Sequence, residues 1–121
     1  MKLLFLLVLL TRNGAGDIHV AFVNTQTLDE CQQKELLVKG IFMSADIPVL
    51  ESRCSRSELR FSEFVHASTS RMAHYFYLIR FDSEAVRVQK MPDWRSCMRK
   101  QAEGAAQGRI YCGSSVQTLK Q

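Results

Sequence analysis

The chain has 121 residues, 46% of them hydrophobic, with 16 Lys and Arg against 12 Asp and Glu and a formal charge of +4. That length holds one domain with a thin stability margin. Two prolines and no low-complexity run exclude a disordered chain. The charge is too mild to require a polyanionic partner, and the one strongly apolar run is too short to cross a bilayer as a helix, so no permanent membrane anchor is expected.

The chain opens MKLLFLLVLL. Lys2 is a minimal positive start, residues 3–10 are an unbroken apolar run, and Gly14, Ala15 and Gly16 are the small residues a signal peptidase reads. This grammar predicts a secretory signal over residues 1–16, followed by a single disulfide-stapled domain over residues 17–121. Without residues 1–16, 14 basic residues remain against 12 acidic ones. The same run has the length of a fully buried strand. Asn13-Gly14 and Gly16-Asp17 are turn formers, so the alternative is a hairpin of residues 3–10 with residues 18–23.

Residues 18–23 (IHVAFV) alternate as a strand, with Ile18, Val20 and Phe22 on one side. Thr27-Leu28-Asp29-Glu30 then has the form of a capping box, the Thr27 hydroxyl taking the amide of Glu30 and Glu30 reaching back to Thr27. Cys31, Val38, Ile41, Phe42 and Ala45 recur at helical spacing and predict the buried stripe. Pro48 stops the helix, and residues 49–54 read as a strand. Ser55 to Glu58 form a loop. Residues 59–66 have no clean period and stay open between strand and short helix. Residues 74–81 (HYFYLIRF) are aromatic and apolar on both sides, as a central strand is. Asp82-Ser83 turns them into a strand over residues 85–90. Asp93 caps a second helix with Trp94, Cys97, Met98, Ala102 and Ala105 as its apolar stripe. Gly104 and Gly108 close it, and residues 109–112 form a strand.

The second part repeats the first. Val86 and Val88 match Val20 and Phe22, Asp93 falls where Thr27 stood, and Cys97 matches Cys31. The pattern predicts an α+β fold: an antiparallel or mixed sheet with two helices on one face, either ferredoxin-like or a duplicated β-hairpin–α–β unit.

Four cysteines allow three pairings. The repeat favours Cys31 with Cys54 and Cys97 with Cys112, each tying the first turn of a helix to the following strand. Closing loops of this size stabilises by about 3 kcal/mol each in the chain-entropy model. Such bonds require an oxidising compartment, so a periplasmic or secreted location is expected, with the cytoplasm as the alternative. The spacing lacks the close pair of a zinc site and the C-x-x-C of a redox site, and no metal or other cofactor is expected.

No catalytic set emerges, and the chain is not expected to be an enzyme. His19, His66 and His74 have no metal-ligand spacing. There is no G-x-S-x-G elbow and no glycine-rich phosphate loop. Glu51, Glu58 and Glu63 could share a cleft as a carboxylate pair, although exposed acids are common. Residues 60–65 (RFSEFV) resemble an RNA-binding strand motif only faintly: they lack its glycines, and Glu63 would repel phosphate.

From Glu84 onward seven basic residues (Arg87, Lys90, Arg95, Arg99, Lys100, Arg109, Lys120) stand against three acidic ones. Arg95, Arg99 and Lys100 form a candidate partner-binding face on the second helix, and strand edges offer a second surface. The partner expected is a protein or another acidic macromolecule. A cytosolic nucleic-acid-binding accessory protein, with residues 1–10 as a strand, is the alternative. Finally, the apolar start with Thr27-Leu28-Asp29-Glu30-Cys31 and Cys54 resembles the small uncharacterised proteins of tailed phages and their bacterial hosts. That resemblance implies a source and no activity.

Overall fold

The computed structural model describes residues 4–12, 17–62, 75–82, 85–104 and 109–120. In chain order these form β1 (Phe5–Arg12), β2 (Ile18–Thr25), α1 (Leu28–Ser44), β3 (Val49–Arg56), β4 (Arg60–Phe61), β5 (Tyr75–Phe81), β6 (Val86–Met91), α2 (Trp94–Gly104), β7 (Arg109–Ser115) and β8 (Leu119–Lys120). Of the two readings of the apolar N-terminal run, the described part is a strand. Residues 1–3 and the expected turn and cleavage site at 13–16 lie outside the described residues.

β1 is the central strand of the first unit. Leu6 to Leu10 are all buried to within 1%, because β1 is paired antiparallel with β2 on one side and β3 on the other. Leu6, Val8 and Leu10 point into the main core with Val20 and Phe22. Leu7 and Leu9 alternate to the opposite face. β5 holds the same place in the second unit, antiparallel to both β6 and β7. Its Tyr77, Ile79 and Phe81 enter the main core, and Leu78 enters a second cluster with Met91, Cys97, Ile110 and Cys112.

The sheet runs β3-β1-β2-β7-β5-β6. Each unit contributes its third, first and second strand in that order. The fold is therefore the duplicated β-hairpin–α–β form rather than the ferredoxin-like one, because each unit starts with a hairpin and not with a helical crossover. The units join in parallel at one bridge, His19 opposite Ser114, which makes the sheet mixed. Both helices lie on the same face.

Beyond that bridge β2 and β7 separate, and a side chain fills the gap. Gln117, fully buried, accepts from the Phe22 amide at 2.8 Å and donates to the Phe22 carbonyl at 2.7 Å. It offers Phe22 what a neighbouring strand would offer. Its amide also reaches the Ser62 carbonyl, and its own carbonyl accepts from the Tyr77 hydroxyl at 2.8 Å. β4 and β8 pair as a small ribbon across the core, where Phe61 stacks on Phe22 with ring centroids 3.8 Å apart. β4 occupies part of the segment the sequence left open. Residues 63–66 lie outside the described residues.

β3 crosses the far strands through its inward residues. Glu51 meets Arg109 of β7 at 2.6 Å. Arg53 lies over the Phe81 ring of β5 and donates to the Asp82 carbonyl. Ser55 accepts from the Val86 amide of β6 at 3.1 Å. The sheet is thus rolled until its two edge strands touch through side chains.

The helices differ from their sequence reading in detail. Glu30 donates its amide to the Thr27 hydroxyl at 3.1 Å, as the capping box requires, but its carboxylate accepts from Gln26 and not from Thr27. The expected stripe of α1 holds at Cys31 and Phe42 and fails at Ile41 and Ala45, which are exposed. α1 carries apolar residues all round, so periodicity alone does not single out the buried side. In α2 the inward residues are Trp94, Cys97, Gln101 and Gly104, while Met98 and Ala102 are exposed. Gly104 is buried so tightly that an added Cβ would sit 2.8 Å from Ile110 Cδ1. Ala105 and Gly108 lie outside the described residues.

Candidate functional site

The four cysteines pair as Cys31–Cys54 and Cys97–Cys112, with Cα atoms 6.0 and 5.6 Å apart. Register explains why both bonds form. Leu7 faces Cys54 across the β1–β3 ladder, and Leu78, its counterpart on β5, faces Cys112 across the β5–β7 ladder. In each unit the cysteine one turn into the helix lies above the same sheet position. Each bond closes a long loop and constrains the unfolded chain. Both bonds fit an oxidising compartment.

The second unit carries basic residues on both faces of its sheet, Arg109 meeting Glu51 and Lys90 lying over the Tyr75 ring on the core side. Arg95, Arg99 and Lys100 are all exposed on α2. The Asp93 carboxylate caps this helix, accepting from the Ser96 amide at 2.7 Å. Hydrogen bonds from Ser96 hold Asp93 below the usual carboxylate range, with Arg95 and Arg99 adding to the effect. Lys100 lies 3.9 Å from Glu103, an exposed contact of little energy.

Two further arginines join this group. Arg80 alternates with Leu78 and so points to the helix side of the sheet, and it lies directly opposite Arg87 on β6. Like charges placed opposite one another on a sheet face repel. Among the described residues, Asp82 relieves them by pairing with Arg87 at 2.9 Å. The sequence count included Arg87 but not its position, and Arg80 was missed, because residues 74–81 read as apolar on both sides. Strict alternation from Phe76 and Leu78 would have put Arg80 on the outer face.

Other candidate residues fall apart from this surface. Glu51 is held by Arg109, Glu58 is exposed, and Glu63, His66 and His74 lie outside the described residues. His19 Nδ1 lies 3.1 Å from the Ser114 hydroxyl, fastening the junction of the two units. Burial pushes the Tyr111 phenol up, with the nearby Glu51 carboxylate adding. The strand-edge surface is partly taken: a partner strand at the end of β3 or the start of β6 would have to displace the Ser55–Val86 bond. Among the described residues no group of three His, Cys, Asp or Glu could hold a metal ion, and no helix is long and apolar enough to cross a membrane.

No protein-family model matches the chain, and neither a curated protein nor a solved structure matches it.

Proposed function

We propose that the protein is a disulfide-stapled binding domain, periplasmic or secreted, that docks an acidic macromolecule on the basic side of its second unit. The observation that carries this reading is the Arg80–Arg87 pair, set opposite one another on adjacent strands of the sheet face on which α2 lies, with Arg95 and Arg99 exposed on that helix. A cross-strand pair of like charge costs stability in the free protein. An anionic partner removes that cost on binding and gains charge-assisted hydrogen bonds from planar guanidinium groups.

Residues 5–12 belong to the working domain in this reading. Removing them would strip β2 and β3 of their shared partner and expose the face beneath α1.

The test is salt-dependent binding to heparin and to a polyglutamate peptide. Arg95→Glu with Arg99→Glu should weaken binding at least tenfold and leave thermal stability nearly unchanged, because both residues are exposed. Binding that ignores salt, or that survives the double reversal, would refute the basic surface.

A further inference from the structure

The two junctions between the units are built alike and finished differently. The ladders run β3 and β6 in the same direction, as β2 and β7 run. β7 ends at Ser115, one residue past its bridge to β2, and β2 continues to Thr25 with Gln117 against Phe22. β3 ends at Arg56, one residue past the Ser55 bond to Val86, and β6 continues to Met91. We propose that this free length of β6 takes up an extended peptide, supplied by a protein partner, with acidic residues at alternate positions. Such a peptide is the partner of the basic surface proposed above and rests on that reading.

The backbone of β6 has bonds to give. Asp82 donates its amide to the Ala85 carbonyl at 2.9 Å. Alternation then makes Arg80–Arg87 and Leu78–Gln89 the pairs that exchange both ladder bonds. The amides and carbonyls of Val88 and Lys90 point away from β5, and β6 is the end strand of the sheet, so among the described residues no strand pairs with them.

Val88 matches Phe22, because their ladder partners Ile79 and Val8 hold the same place in β5 and β1. The residue matched to Gln117 is Leu59. Each lies five positions after the bridged cysteine of the preceding strand. Each also gives its amide to a serine hydroxyl two residues back, at 3.1 Å for Gln117 and 3.2 Å for Leu59. A leucine side chain has nothing to offer a bare amide or carbonyl. Leu59 is moreover tied to β2, its carbonyl accepting from Asn24 at 2.7 Å. The place that Gln117 fills beside Phe22 therefore has no such filler beside Val88.

Charge selects the partner. On a strand laid beside β6, residues level with Arg87 and Gln89 face the helix side, and those level with Val88 face the core side. The Arg87 side chain is 76% exposed. Asp82 engages its Nε, and the guanidinium has further donors. Arg80 stands behind it on β5, and Lys90 adds an exposed charge at the far end. Lysine and arginine on an edge strand discourage indiscriminate pairing. An acidic strand turns that penalty into charge-assisted contacts. Half-buried Val88 favours an apolar residue between the acids. A sulfated glycan or a nucleic acid would meet the arginines but has no peptide backbone to give to Val88 and Lys90.

The test titrates the oxidised full chain with the heptapeptide SEVEVES, capped at both ends, and with its isomer SEEEVVS, and follows amide hydrogen exchange. SEVEVES should bind at least tenfold more tightly than the isomer, and less tightly as salt rises. It should slow exchange of the Val88 and Lys90 amides at least tenfold. Arg87→Glu should weaken binding at least tenfold, with circular dichroism and intact mass showing the variant folded and doubly bridged. Equal binding of the two isomers, or no slowing at Val88 and Lys90, would overturn strand addition. Heparin separates this outcome from failure of the basic surface itself. If heparin binds with salt dependence while SEVEVES does not bind, the basic surface stands and its peptide partner is refuted. If neither binds, both are refuted.

Discussion

The two units share strands, register and disulfide, and they differ in what their helices cover. Leu9 of β1 lies between Ala21 and Ser52. The same place in the second unit is Arg80, between Arg87 and Ile110. Leu9 and Ala21 are 1% and 5% exposed, while Arg87 is exposed and Arg80 half-buried. α1 has 17 residues and the described part of α2 has 11, and Phe42, late in α1, is buried. A helix that extends over the strands demands apolar residues beneath it. In the second unit the position matched to Leu9 holds an arginine instead. One architecture thus yields an apolar outer helix on one unit and a basic surface on the other.

Exchanging the matched residues would break this comparison most severely. Leu9→Arg buries an unpaired charge under α1 and should cost at least about 4 kcal/mol, most of the stability of a small domain. Arg80→Leu should change stability by less than about 1 kcal/mol while weakening polyanion binding. Chemical denaturation and heparin elution measure the two. Equal sensitivity at the two sites would mean that α2 covers its strands as α1 does.

Removing one disulfide from each unit in turn comes next. The bridged residues are separated by 23 and 15 positions. Replacing either pair with alanine should cost about 3 kcal/mol, with the first unit losing about 0.4 kcal/mol more from its longer loop. The reverse order would point to unequal residual structure in the unfolded units. At the junction, Gln117→Ala leaves the Phe22 backbone and the Ser62 carbonyl without their partner and should cost about 2–3 kcal/mol. A loss below about 0.5 kcal/mol in urea melts would show that water replaces the amide.

The glycines separate the helices at a finer level. Gly40→Ala enters open space and should stabilise by about 1 kcal/mol. Gly104→Ala should gain nothing, because its methyl meets Ile110.

The last effect concerns pH. Burial pushes the Tyr77 phenol above its usual range, against a lowering by the Leu119 amide. A group whose folded pKa is raised supports the fold below its unfolded value, which is about 10 for tyrosine. That support is lost as pH rises from there through the folded pKa. Melting temperature should therefore fall above pH 10, and Tyr77→Phe should flatten the slope. An unchanged slope would assign it to Tyr111 instead.

Much of this fold was legible because its signals are local. The Thr27 and Asp93 caps, the alternation of residues 18–23 and the cysteine placement each depend on neighbours a few residues away. They were enough to give two repeated units, their helices and the favoured cysteine pairing. The outer surfaces were less legible. Ile41 read as core because α1 is apolar all round, and Arg80 was hidden in an aromatic strand.

The residues alone were enough for the α+β class, for a strand, capped helix and strand that occur twice, and for the spacing that brings each pair of sulfurs together, while a ferredoxin-like order stayed open beside the duplicated hairpin unit. Only the tertiary structure decided which strands meet at the junction, that Gln117 fills the gap there, and which helix side is left bare. Capping and alternation are short-range consequences of backbone geometry. Coverage depends on how far one element extends over another, and that is fixed only when the whole sheet rolls.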